Sequence, residues 1–229
     1  VSDFNGFPKE FFTFFAELKE NNNRDWFAAN KPRFVDSVVT PMGEFIVAIA
    51  PHLKDISRFY RADPKPHGGS MFRIYRDARF SKDKTPYKTH AACHFRHQSG
   101  RDAHAPGFYV HFETDGIHFG GGIWSPPRKE LNLIRDLIAD SPAAWDKLLN
   151  SAAIKQAGGI RGDSLKRPPR GFDAEAKHIV DIKRKSFFVM SEADAELALT
   201  PELVDETAKA FRSAAKLNQF ISDALDLAF

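Results

Sequence analysis

The stretch "GFYVHFETDGIHFGGGIW" at residues 107–124 constrains the fold more than any other. Two arms alternate apolar and polar residues about an Asp115-Gly116 step, the composition of a tight β-hairpin turn. With those two residues in the turn, Thr114 pairs with Ile117, Glu113 with His118, Phe112 with Phe119 and His111 with Gly120. Side chains alternate faces along a strand, so Phe108, Val110, Phe112, Ile117 and Phe119 share one face. Tyr109, His111, Glu113 and His118 share the other. A hairpin with one apolar face must bury it against another layer.

Helical patterns on both sides supply that layer. Phe11, Phe14, Phe15 and Leu18 recur at helical spacing after Pro8, and "NNN" at 21–23 ends the run. Phe34, Val38, Met42, Phe45, Ile46, Ile49 and Leu53 form one stripe through Pro41, which predicts a long helix kinked there or two helices meeting there. Ser125-Pro126, Ser141-Pro142 and Thr200-Pro201 mark later helix starts, each pairing a capping oxygen with a residue of preset φ. The last helix carries Leu203, Thr207, Phe211, Ala214, Asn218, Ile221 and Leu225 on one face. Residues 91–97 read as a further strand and 158–172 as a Gly/Pro/Arg-rich loop. Helix-rich ends around a strand-rich middle predict an α+β fold, an antiparallel sheet packed against N-terminal and C-terminal helices. With 229 residues and no linker-like break, residues 1–229 are expected to form a single domain. The 22 phenylalanines predict an aromatic core. A single cysteine, Cys93, excludes an internal disulfide, and with no signal-like N-terminus and no apolar run of about 18 residues it predicts a cytoplasmic protein without a membrane span.

Charge is unevenly spread. Residues 58–101 hold eleven Lys/Arg against three Asp/Glu, whereas residues 191–229 hold three against eight. The two regions either neutralise each other on folding or present a basic and an acidic face. The basic region centres on "FRIYRDARFSKDKTPYKTH" at 72–90. Phe72, Ile74, Ala78 and Phe80 alternate with Arg73, Tyr75, Asp77 and Arg79, which predicts a strand with Arg76 on its apolar side. On such a strand Arg73 and Arg79 flank a carboxylate and can clamp a phosphate or carboxylate, helped by Lys82, Lys84 and Lys88 from the following loop. Alternatively Asp77 and Asp83 satisfy these cations in a structural ion-pair lattice. Arg73, Asp77, Arg79, Lys82, Lys84 and Lys88 are therefore the candidate ligand-binding residues.

Tyr87, Tyr109, His111 and Glu113 are the candidate proton-transfer groups. Six of the nine histidines fall between His90 and His118, but alternation sends His94 and His97 to opposite faces. No metal-ligand spacing of the strong sort is present, so no metal and no cofactor are assigned. "FGGGIW" at 119–124 lacks the Gly-Lys-Ser/Thr ending of a phosphate-binding loop. Its glycines predict a bulge or the close approach of another backbone or ligand. Trp26 and Phe27 are read as core residues.

Four segments carry a resemblance: "NNNRDWFAANKPRF" at 21–34, "FRIYRDARFSKDKTPYKTH" at 72–90, "APGFYVHFETDGIHFGGGIW" at 105–124 and "LKRPPRGFDAEAKHIVDIKRKSFF" at 165–188. Together the chain resembles the uncharacterised family catalogued as domain of unknown function 2461, over nearly its whole length. Where that family has an Asp-His-Pro step in the fourth segment, this chain has Glu175-Ala176-Lys177-His178. The resemblance implies one α+β domain and brings no activity with it. The residues themselves predict that the protein binds or acts on a small anionic ligand, phosphorylated or carboxylated, at a basic sheet face. Nucleic-acid binding through residues 58–101, or a non-catalytic protein-interaction module, is the alternative. Membrane contact is not expected, and the oligomeric state is left open.

Overall fold

The computed structural model describes residues 4–100 and 104–229. Aromatic spacing builds its first layer. Helix α1 (Lys9–Glu20) buries Phe11, Phe14, Phe15 and Leu18 on one face. Helix α2 (Arg24–Ala29) starts at Asn23, whose side chain accepts the Trp26 N–H at 2.9 Å, an N-cap that explains why the asparagine run ends one helix and begins another. Helix α3 (Lys31–Phe34) continues through a π-helical turn, Val35–Val39, into α4 (Thr40–Ile56). The distortion expected at Pro41 thus falls in the preceding turn, where the Thr40 N–H donates to the Val35 carbonyl five residues back. A proline ring crowds the carbonyl four residues before it, and the widened turn relieves that contact.

By length and composition the run Lys31–Ile56 is long and apolar enough to cross a membrane. Its apolar stripe is occupied, however: Met42, Phe45, Ile46 and Ile49 are fully buried in the core. Phe45 meets Phe112 of the sheet edge-on at 5.5 Å, and Phe7 stacks on Phe11 at 4.3 Å. Such pairs add roughly 0.5–1.5 kcal/mol each beyond burial.

The sheet is a four-stranded antiparallel meander, β1 (Ala91–Arg96), β2 (Gly107–Glu113), β3 (Gly116–Ile123) and β4 (Phe187–Ala193), in spatial order β1-β2-β3-β4. The β2–β3 register differs from the expected one by two residues: Glu113 pairs with Gly116, Phe112 with Ile117 and His111 with His118. The Asp-Gly expectation presumes left-handed φ at both turn residues. Neither Thr114, Asp115 nor Gly116 has positive φ, so the chain turns at Thr114-Asp115 and Gly116 opens β3. A shift of two preserves which face each side chain occupies.

Between β3 and β4 lie α5 (Arg128–Asp140), α6 (Pro142–Leu149), α7 (Ala152–Gln156) and α8 (Ile179–Ile182). Of the three hydroxyl-proline pairs, Ser141-Pro142 alone directly precedes a helix, and Ser141 makes no side-chain cap bond. Pro127 caps α5, and Ser125 instead takes positive φ and donates its N–H to Ser186 Oγ. Helix α9 (Leu203–Ala224) follows a 3-10 turn, Ala195–Leu199, and buries Leu203, Thr207, Phe211, Ala214, Asn218 and Ile221. It lies against β3 at Gly121, where a Cβ would come within 3.0 Å of Ala214 Cβ and Asn218 Nδ2. The fold is α+β, with helices from both ends covering one face of the sheet.

Residues 72–80 do not form the expected strand. Isolated bridges stand in its place, Met71 with Cys93 just before the segment and Tyr75 with Tyr87 within it. The aspartates explain the difference. Asp77 Oδ1 accepts the Arg79 N–H at 3.3 Å, and Asp83 Oδ1 accepts the Thr85 N–H at 2.9 Å. Asp77 thus takes a backbone donor of the segment that a ladder would need, and Asp83 fixes the turn that follows it. Phe80, counted on the apolar side, is 96% exposed.

Candidate functional site

The uncovered sheet face is read most easily by cross-strand rows. Arg96, Gly107, Gly122 and Phe188 form one row, and His94, Tyr109, Gly120 and Met190 the next. Ala92, His111, His118 and Glu192 form a third. Gly107, Gly120 and Gly122 add no side chains of their own to this face, and Gly107, Gly121 and Gly122 line a trough of about 430 Å³ together with His94, whose ring lies over Gly107. Phe72, Tyr109, Trp124, Phe188 and Met190 wall it, and Lys88 and His90 stand at one end.

Three consecutive outward side chains of β2 form a hydrogen-bonded chain beside it. Tyr109 Oη lies 2.9 Å from His111 Nδ1, and His111 Nε2 lies 2.8 Å from Glu113 Oε1. Alternation along one strand is what aligns them. With Tyr109 donating to Nδ1, the neutral imidazole donates its Nε2–H to Glu113. In the other tautomer Nδ1–H donates to Tyr109, and Nε2 faces the carboxylate without a proton. Burial raises the Tyr109 hydroxyl to about 12 and lowers His111, which the Glu113 hydrogen bond opposes.

His90 immediately precedes β1 and projects to the same face. Its ring stacks on His111 at 4.1 Å, and its Nδ1 lies 3.9 Å from the same Glu113 oxygen. Burial, then the neighbouring His111, depress it to about 4. One ligand atom from each of His90, His111 and Glu113 lies within 4.8 Å of the others, a two-imidazole, one-carboxylate set that suits a transition metal. His118 stands across from His111, ring centres 5.8 Å apart, and its Nδ1 is 3.9 Å from Glu192.

The sequence-derived candidates divide between this trough and the segment beside it. Tyr109, His111, Glu113 and Lys88 come together. Lys88 Nζ donates to the Arg73 carbonyl at 3.0 Å and sits 5.1 Å from the Phe72 ring centre. That leaves two of its three N–H donors. Burial, then Arg73, lower its pKa. Tyr87 is elsewhere, stacked on Phe27 at 4.1 Å within the core. Arg79 is bidentate on Asp77, at 2.9 and 2.7 Å, and holds that carboxyl at about 2. Arg76 bonds Asp83 and Thr85, and Lys84 donates to the Ala78 carbonyl at 2.9 Å. Arg73 and Lys82 are exposed. The acidic residues of this segment therefore engage Arg76 and Arg79 locally.

Sequence reasoning missed His90, Phe72, Trp124, Phe188 and Met190. His90 was legible by parity with His94, since positions 90, 92 and 94 share a face. Phe188 and Met190 belong to β4, which had no flanking turn signal to announce it.

Fold and site together define an α+β protein whose open sheet face carries a histidine-rich, aromatic-walled trough. The chain belongs to the family described as conserved hypothetical protein (DUF2461), whose model matches residues 10–220. No curated protein matches it.

Proposed function

We propose that the trough binds a small molecule joining an apolar body to a carboxylate or phosphate, and acts on it by proton transfer. The observation that carries this reading is the placement of Lys88 and of Tyr109, the near end of the Tyr109–His111–Glu113 chain, in the lining of one apolar trough of about 430 Å³. That size accommodates a drug-sized or smaller ligand. Flat rings or aliphatic carbons lie against Phe72, Trp124, Phe188 and Met190, while the anion meets Lys88. Tyr109 and His111 then exchange a proton with the bound molecule, and Glu113 stabilises the imidazolium that results. The anion is read by Lys88 rather than by the whole of 73–84, because Asp77 and Asp83 already hold Arg79 and Arg76. The buried Cys93 suits a reducing, cytoplasmic setting.

Thermal-shift titration with phenyl phosphate, phenylacetate and benzoate tests the binding step. At least one should raise the melting temperature of the unsubstituted protein with saturable dose dependence, and Lys88→Met should remove the shift. Tyr109→Phe should keep it, since its hydroxyl handles protons rather than the anion. No shift with any of the three, or an unchanged shift in Lys88→Met, would overturn the reading.

A further inference from the structure

We infer that His90, His111 and Glu113 together hold one divalent first-row transition-metal ion at the end of the trough. Three observations carry the assignment. First, the donor set is two imidazoles and one carboxylate, a combination that selects zinc, iron or manganese over magnesium and calcium, which demand oxygen ligands. Second, both imidazoles approach the same carboxylate oxygen, at 2.8 and 3.9 Å, although the three side chains come from two segments of chain. Ligands about 2 Å from one ion lie roughly 3 Å apart when adjacent, so these separations bracket the required geometry, and side-chain rotation of His90 supplies the contraction. Third, Tyr109 Oη stands 2.9 Å from His111 Nδ1, on the far side of the ring from Glu113. A ligating imidazole needs such a partner to fix the tautomer that leaves its other nitrogen unprotonated.

In the metal-bound form the single imidazole proton of His111 sits on Nδ1 and is donated to Tyr109, which leaves Nε2 and the Glu113 carboxylate unprotonated to take the ion. Three protein ligands leave at least one coordination position. His90 lines the trough, so that position opens toward the bound molecule. An anionic oxygen of the ligand, or a water, fills it. The ion keeps the anion site of the reading given above but takes the place of the His111 imidazolium in it, since His111 Nε2 and Glu113 are then its ligands. Lys88 is no ligand to it, so the two proposals fail separately.

Chelator-treated full-length protein is titrated with zinc by calorimetry against a competing chelator, and with cobalt by visible absorption. Zinc should bind one per chain, and cobalt should give the absorption of a nitrogen- and oxygen-ligated low-coordinate ion. His90→Ala and Glu113→Gln should each weaken zinc by at least about tenfold, while His118→Ala changes it by less than about twofold. If His90→Ala fails to fold by circular dichroism, His90→Gln takes its place. The assignment is wrong if the unsubstituted protein takes up no stoichiometric zinc, or if either ligand variant binds as the unsubstituted protein does. It is equally wrong if His118→Ala abolishes uptake. Retained zinc with no response to the phenyl anions would separate this site from the ligand reading.

Discussion

Gly122 shows how single residues shape the trough floor. Its φ of 143° is one that side chains rarely adopt, and a Cβ there would lie 2.1 Å from the Phe187 carbonyl oxygen. That atom is backbone of the neighbouring strand and cannot swing away. Gly159 provides the comparison, with φ at 84° but no atom within 4 Å of the place a methyl group would take. Gly159→Ala therefore incurs conformational strain alone, about 1 kcal/mol, whereas Gly122→Ala adds a steric clash and should cost roughly 2–3 kcal/mol. In a chain of this size each kcal/mol moves the melting temperature by roughly 2–4 °C, so calorimetry should rank the two clearly. Equal losses would mean that β4 shifts readily and that the floor is soft. The glycines were legible as a place of close approach, but the sequence has no mark for what approaches. The partners proved to be β4, at Gly120 and Gly122, and α9, at Gly121, both of which the chain reaches only after α5, α6, α7 and α8.

Elements were legible where one periodicity held for several turns or where parity alone mattered. The stripes of α1, α4 and α9 predicted their buried faces because the helical repeat leaves little alternative. The hairpin's two faces came through intact although its register moved, since a slip of two residues carries every side chain back to its own face. A slip of one would have buried His111 and Glu113. The 72–80 segment failed because its backbone donor at Arg79 was taken by Asp77 and the chain after it was turned by Asp83, a competition that hydrophobic patterning does not register. Site legibility followed the same line: Tyr109, His111 and Glu113 lie on one strand, but His90 and the β4 walls reach the trough only through tertiary pairing. The turn held by Asp83 can be tested directly. Arg76 and Asp83 are both solvent-exposed in part, so Asp83→Asn should lower the melting temperature only slightly, as water screens such pairs. Tryptic cleavage between Arg76 and Lys84 should nevertheless accelerate, because the Thr85 N–H loses its charged acceptor and the turn loosens. A large cooperative loss of stability with unchanged cleavage would point to a buried strand after all.

At the scale of the whole molecule, no ion pair among the described residues joins the basic region at 58–101 to the acidic region at 191–229. Arg76 and Arg79 pair within their own segment, and Glu192 pairs with Arg161. What couples these two parts of the chain is ring packing together with uncharged hydrogen bonds, among them His97 Nε2 with the Ala228 carbonyl at 2.9 Å. Tyr60, just after α4, packs edge-on against Phe108 at 4.9 Å and Phe229 at 5.8 Å, and its hydroxyl lies 3.4 Å from Ser222 Oγ on α9. Raising salt should therefore leave the melting temperature nearly unchanged, whereas alkali should not. Burial raises the Tyr60 hydroxyl to about 12, against an ordinary value of 10, with the Ser222 hydrogen bond opposing. A folded pKa above the unfolded one means that the unfolded chain loses its proton first. The stabilising contribution is complete below pH 10 and disappears as pH rises from 10 through about 12, up to ~2–3 kcal/mol for a shift of this size. Tyr109 is displaced in the same direction and to a similar value, so it titrates over the same window. Urea unfolding at pH 9 and pH 11 should show the unsubstituted protein losing stability across the interval, Tyr60→Phe losing less, and the double Tyr60→Phe/Tyr109→Phe variant least. If Tyr60→Phe lost as much as the unsubstituted protein, the hydroxyl would have to reach solvent, and the junction between α4, β2 and α9 would be looser than its ring contacts indicate.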